Sequence, residues 1–218
     1  EILNTFDIGL TPSSLPPFLG GAVGYFAYDL CHFIEKVPCT TIDDVKTPQL
    51  LFAFYDRVLI IDHLGNRVYI AAIALPEEKN SLKEKIEQFK NRFFSNSSTK
   101  VSMEISNFEE TDYNSKAPVI KSNFTKSDYL NAVRKAKEYI AAGDIYQVNL
   151  SQRLQTKLSL SPFSLYQRLR KINPAPFAAY LNFGEVIVAS SSPERFLKVT
   201  GKMVETRPIK GTRPRGKT

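Results

Sequence analysis

The chain has 218 residues, 43% of them hydrophobic and 23% charged, with a formal net charge of +7. At roughly 150 residues per domain this is one large domain or two small ones, long enough to bury a core without disulfide staples. The only cysteines, Cys31 and Cys39, form no CxxC pair, no apolar run reaches a membrane span of roughly 18 residues, and the opening EILNTFDIGL is no secretory signal, so composition points to a reduced, cytoplasmic protein without a membrane partner.

In chain order, Phe18–Tyr28 (FLGGAVGYFAY) is broken by Gly20, Gly21 and Gly24. It lacks GxGxxG and a following Lys-Ser or Lys-Thr, so it reads as a strand or tight turn with closely approaching backbones, not a phosphate loop. Leu50–Asp62 and Arg67–Ala74 are rich in β-branched and aromatic residues and read as a hairpin around HLGN. Ser81 and Glu84 form a capping box, and Leu82, Ile86, Phe89 and Phe93 recur on one face of the helix it starts. Residues 95–118 are polar and aperiodic and read as a loop or linker. Three segments are therefore expected: an N-terminal block over 1–95, a linker over 96–118, and a second block over 119–218.

The second block opens with a helix over Ser127–Ala142, signalled by Thr125 and Asp128 and stopped by Gly143, with Leu130, Val133, Ala136 and Ile140 on its apolar face. Ile145–Thr156 alternates like a half-buried strand. A short helix over Pro162–Lys171 ends before Asn173-Pro174. Four strands follow, over Phe177–Phe183, Glu185–Ser191, Arg195–Thr200 and Lys202–Arg207. Without regular βαβ alternation the class is α+β, with mostly antiparallel β-sheets packed with helices.

Most of the net positive charge, +6 of the +7, lies between Lys198 and Thr218, where seven basic residues meet a single acid, Glu205. Such a cluster suits a solvated tail, a small anionic substrate or nucleic acid. No aromatic residue follows Phe196, which argues against nucleic acid. Within this segment Pro193 biases Ser192 to an extended backbone and sets Glu194 at a strand boundary. Pro208 and Pro214 bracket Ile-Lys-Gly-Thr-Arg, and Gly211 lets the backbone approach a ligand. Lys210 stands among Arg207, Arg213 and Arg215, whose charges disfavour its ammonium form and so favour a nucleophilic amine; a solvated basic loop is the alternative.

Five segments in order carry a resemblance: GGAVGYFAYDL (Gly20–Leu30), IYQVNLSQR (Ile145–Arg153), NPAPFAAYL (Asn173–Leu181), SSSPERF (Ser190–Phe196) and ETRPIKGTRPRG (Glu205–Gly216). Together they resemble the serial motifs of the chorismate-binding enzymes, which include the large subunits of anthranilate synthase and aminodeoxychorismate synthase. The resemblance covers the chain from Gly20 onward and implies an anthranilate-synthase-component-I-like fold. Lysine at position 210 matches the aminodeoxychorismate synthases, whereas anthranilate synthases carry alanine there. The resemblance then implies that Lys210 adds to chorismate C2 as the C4 hydroxyl leaves, that Glu194 donates the proton, and that Gly211 and Thr212 line the substrate. Pro176, Phe177 and Ala178 match a segment that contacts bound tryptophan in relatives.

The same resemblance implies Mg2+ as cofactor, with ligands in a C-terminal half outside this sequence, and a glutamine amidotransferase subunit supplying ammonia. It implies as well that the 218 residues alone are inactive, that both ends are cuts in a longer enzyme, and that apolar surface or sheet edges are left exposed. Anthranilate synthase is the alternative enzyme, and a basic nucleic-acid-binding module the alternative from another class. Glu194 and Lys210 flank the hairpin whose turn is Gly201, so their side chains are expected to face one cleft.

Overall fold

Close backbone approach decides the first strand pair. In a computed structural model that describes residues 15–75, 78, 81–94, 118–209, 211, 214 and 216, β1 (Gly21–Phe26) runs antiparallel to β2 (Leu50–Tyr55) with Gly24 opposite Phe52. A Cβ on Gly24 would overlap the carbonyl oxygen of Leu51, so any side chain there would push the strands apart. A 3₁₀ helix, Tyr28–Phe33, follows β1.

The run Leu50–Asp62, expected as one strand of a hairpin, is two strands serving two sheets. β2 pairs with β1, whereas β3 (Arg57–Asp62) pairs with β4 (Arg67–Ala72). The break is at Asp56, whose carboxylate takes Arg57 Nε at 3.2 Å and Lys85 Nζ at 2.9 Å. At the β3–β4 turn, Asp62 Oδ1 accepts from the backbone N–H groups of Leu64 (3.0 Å) and Gly65 (2.9 Å), a local carboxylate-to-backbone turn.

Helix α1 (Leu82–Phe94) starts as expected: Ser81 N donates to Glu84 at 2.9 Å and Glu84 N donates to Ser81 Oγ at 3.3 Å. Its apolar stripe is a correction. Ile86 and Phe89 are half-buried, but Leu82 and Phe93 are exposed, and the buried residue is Lys85 at 2% exposure. Lys85 donates to the Ile73 carbonyl at 2.8 Å and also engages Asp56 and Glu78, which makes its burial tolerable.

Two compact units divide the chain: Glu1–Glu104 with Tyr166–Thr218, and Ile105–Leu165. Helix α3 (Pro162–Ile172) crosses the boundary at Tyr166, which is buried in the first unit with its ring 5.4 Å from that of Tyr180. Tyr180 belongs to β7 (Phe177–Asn182), which forms an antiparallel hairpin with β8 (Ile187–Ser192). Tyr25 of β1 meets Phe183, just after β7, edge-on at 6.2 Å, so the Gly20–Tyr28 segment and the β7/β8 hairpin belong to one packed unit. Strands β9 (Arg195–Thr200) and β10 (Met203–Arg207) form the last hairpin.

In the second unit, helix α2 (Lys126–Ala142) begins where Thr125 accepts from Asp128 N and ends at Gly143 in the left-handed conformation, φ 84°. Val133 and Ala136 are half-buried, while Leu130 and Ile140 are exposed. The strand expected over Ile145–Thr156 shrinks to β6 (Leu154–Gln155), paired with β5 (Lys121–Ser122). Residues 145–152 have the alternation of a strand but pair with no strand among the described residues, and Tyr146 is 96% exposed. The expected linker over 96–118 lies outside the described residues except at Pro118. The whole is α+β with antiparallel sheets, each two-stranded among the described residues.

Candidate active site

The segment from Asn173 to Arg207 is built from two hairpins joined by two residues. β8 ends at Ser192, Pro193 and Glu194 make the connection, and β9 begins at Arg195. Proline at 193 holds Ser192 extended, so the strand ends without curling and Glu194 sits at a strand boundary as its sequence context implies. Glu194 is half-buried. Ser192 Oγ donates to the Glu194 carbonyl at 3.4 Å, and Ser191 Oγ donates to the Asn173 carbonyl at 2.5 Å.

The β9/β10 hairpin turns through Gly201 and Lys202, with Gly201 at φ 57°. A two-residue loop with positive φ at its first position is the type II′ geometry that suits the right-handed twist of paired strands. At the open end the register shifts: Glu205 lies opposite Lys198, but Arg207 lies opposite Arg195. Two steps along β10 thus match three along β9, which is a bulge on β9. The extra residue turns Arg195 onto the face that carries Glu205 and Arg207.

There, one carboxylate serves two guanidinium groups. Glu205 Oε1 takes Arg207 Nε at 2.7 Å and pairs with Arg195 Nη1. The hydrogen bond from Arg195 holds the Glu205 carboxyl below its ordinary value, against desolvation and with further help from Arg207. The Arg195 guanidinium also lies over the Phe177 ring, 5.1 Å from its centroid. In the sequence Glu205 stands out as the lone acid of a basic stretch and the first residue of the last motif. Its spacing from Arg195 across a hairpin was the signal that could have found the pair, and the bulge was what hid it.

Of the site residues expected from the sequence, Phe177 and Ala178 lie on the strand paired with the one that leads to Glu194. Phe177 lies opposite Ser192 and Ala178 opposite Ser191, so Phe177 is across the ladder from a residue two positions before Glu194. Pro176 is exposed; Phe177 and Ala178 are half-buried. Gly211 is exposed, and no described atom lies within 4 Å of where its Cβ would be, so packing within the described chain does not require glycine there. Lys210 and Thr212 lie outside the described residues, and with them the expected cleft shared by Glu194 and Lys210. Among the described residues no three His, Cys, Asp or Glu side chains converge to hold a metal ion. No described helix is long and apolar enough to cross a membrane.

The chain matches the family described as chorismate binding enzyme over residues 4–218. It is 42% identical to anthranilate synthase component 1 of Thermus thermophilus over 204 residues, which is 93% of this chain and 42% of that protein. It is 35% identical to aminodeoxychorismate synthase component 1 of Bacillus subtilis over 208 residues, 95% of this chain and 43% of that protein. Its fold matches the crystal structure of anthranilate synthase component I from Streptococcus pneumoniae with a TM-score of 0.75 at 24% identity, covering 93% of this chain and 45% of that one. The chain thus spans less than half the length of these relatives. With five motifs in order and a match over residues 4–218, this chain belongs to the chorismate binding enzyme family.

Proposed function

We propose that the complete polypeptide carrying this chain is an aminodeoxychorismate synthase component I, which aminates chorismate at C4. The observation that carries this reading is lysine at position 210, inside Pro-Ile-Lys-Gly-Thr. Overall, chorismate and ammonia give 4-amino-4-deoxychorismate and water. The neutral Lys210 amine attacks C2, the double bond shifts, and the C4 hydroxyl leaves as water with the proton of Glu194. Ammonia then adds at C4, the double bond returns, the Lys210 amine departs from C2, and the Glu194 carboxylate takes the surplus proton of the new C4 ammonium. Glu194 ends as it began. Gly211 and Thr212 line the substrate in this reading, Mg2+ is a cofactor held by residues other than those described, and a glutamine amidotransferase supplies the ammonia. The setting is cytoplasmic, and the product serves 4-aminobenzoate and folate synthesis.

The second reading is anthranilate synthase, and the 42% identity to a protein of that name favours it. Overall identity reports shared ancestry and fold, whereas the product is decided where the nucleophile stands, so we weight Lys210 more heavily. Chromatography of the product made by the complete polypeptide from chorismate, ammonium and Mg2+ decides between them. The expected product is 4-amino-4-deoxychorismate, with a mass adduct on Lys210 when ammonia is withheld. Anthranilate as sole product, with no adduct and no effect of Lys210→Ala, refutes the proposal and leaves the family assignment standing.

A further inference from the structure

We propose that Arg195 is a positioning residue for Glu194, held by a clamp of Phe177 on one side and Glu205 on the other. The inference rests on the reading above for the role of Glu194, and on the geometry for the clamp. Glu194 sits in a connection of two residues, so its placement depends on what fixes each end. The β8 end is fixed by the ladder, where Ser192 faces Phe177. The β9 end is fixed through the next residue, Arg195, whose guanidinium lies 5.1 Å from the Phe177 ring centroid and pairs with Glu205. Phe177 belongs to the β7/β8 hairpin and Glu205 to the β9/β10 hairpin. Arg195 therefore ties two separate sheets together at the point where Glu194 joins them.

Three features argue that the arrangement serves geometry more than stability. The bulge on β9 is what turns Arg195 toward Glu205, and bulges re-aim side chains next to functional sites. In the clamping pair Arg195 is 24% and Glu205 42% exposed, and an ion pair whose carboxylate stands in water to that degree adds little to stability. A planar guanidinium that stacks on a ring while pairing with a carboxylate also fixes direction in a way a lysine ammonium does not.

The test is a kinetic cycle in the complete polypeptide, with ammonium as nitrogen source and chorismate consumption as readout. Misplacing a catalytic group by about 1 Å costs on the order of a hundredfold, so Arg195→Met is expected to lower kcat by about that factor while KM for chorismate stays within about twofold. Phe177→Leu should show a smaller fall of the same kind. In the Glu194→Gln background, Arg195→Met should add no further loss, because a residue acting only through Glu194 has nothing left to position. If circular dichroism shows Arg195→Met unfolded, Arg195→Lys, which keeps the charge and loses the planar fork, carries the same comparison. Unchanged kcat in the folded variant, or a loss that multiplies in full on top of Glu194→Gln, overturns the clamp. A wild type that forms 4-amino-4-deoxychorismate while either result holds leaves the functional reading intact; a wild type that forms none overturns that reading and this inference with it.

Discussion

Among the described residues, Lys85 is the charged side chain that is buried. It is 2% exposed and meets Asp56, Glu78 and the Ile73 carbonyl. Burial alone would lower its pKa and raise that of Asp56; hydrogen bonds and opposite charge reverse both, so Lys85 ends above its ordinary value and Asp56 below. Lys85→Met should cost about 2–3 kcal/mol in urea unfolding, since it strands two carboxylates that keep about a quarter of their surface in water. The pH sign follows from Asp56. Its contribution is fully present above its ordinary pKa of 3.8 and is lost as pH falls through the depressed folded value. Acid unfolding midpoints measured for wild type and Asp56→Asn should show this loss in the wild type and its absence in the variant. Helical spacing puts position 85 on the face of Leu82 and Phe89, three residues after one and four before the other, but the sequence does not say which carboxylates meet a lysine there.

At the scale of elements, local chemistry is legible in the sequence and strand pairing is less so. The capping box at Ser81, the Thr125 cap, the Gly143 stop and the Gly201 turn all rest on interactions within a few residues, and each stands where its pattern put it. The split at Asp56 and the loss of the strand over Ile145–Thr156 depend on which strand lies alongside, a long-range matter that a window of residues does not contain. The Gly201 turn gives a direct prediction. At φ 57° a β-branched side chain is strained by about 1–2 kcal/mol, so Gly201→Val should loosen the hairpin and lower the thermal unfolding midpoint. Hydrogen exchange should speed up first at the amides of β9 and β10, and unchanged protection there would refute the assignment of the turn.

For the molecule as a whole, the exposed apolar side chains are the governing fact. Phe196, Val199, Met203 and Val204 are exposed on the β9/β10 hairpin, Ile172 at the end of α3, and Leu154 on β6. Each sheet among the described residues is a pair of strands, which leaves an unpaired edge on every strand. Two-stranded hairpins are marginal without a third strand or a covering helix. This meets the expectation of exposed apolar surface and open edges. Expressed by themselves, these 218 residues should bind a hydrophobic dye strongly, unfold over a broad range and consume no chorismate. The complete polypeptide should bind little dye and unfold sharply. Equal dye binding by the two would mean that the apolar surface stays exposed in the full enzyme as well.

Sequence alone determined the family, the α+β class, most helix and strand positions, and Glu194 at its strand boundary, because ordered motifs and short-range periodicity are properties of a linear chain. It also supplies the identity of residue 210, on which the proposed chemistry turns. Tertiary structure decided that Lys85 is the buried side chain of α1, that Asp56 divides one apolar run between two sheets, and that a bulge turns Arg195 onto Glu205 beneath the reach of Phe177. Those outcomes depend on which backbones lie side by side and which charges meet once they do, and such distances arise only when segments far apart in sequence pack together.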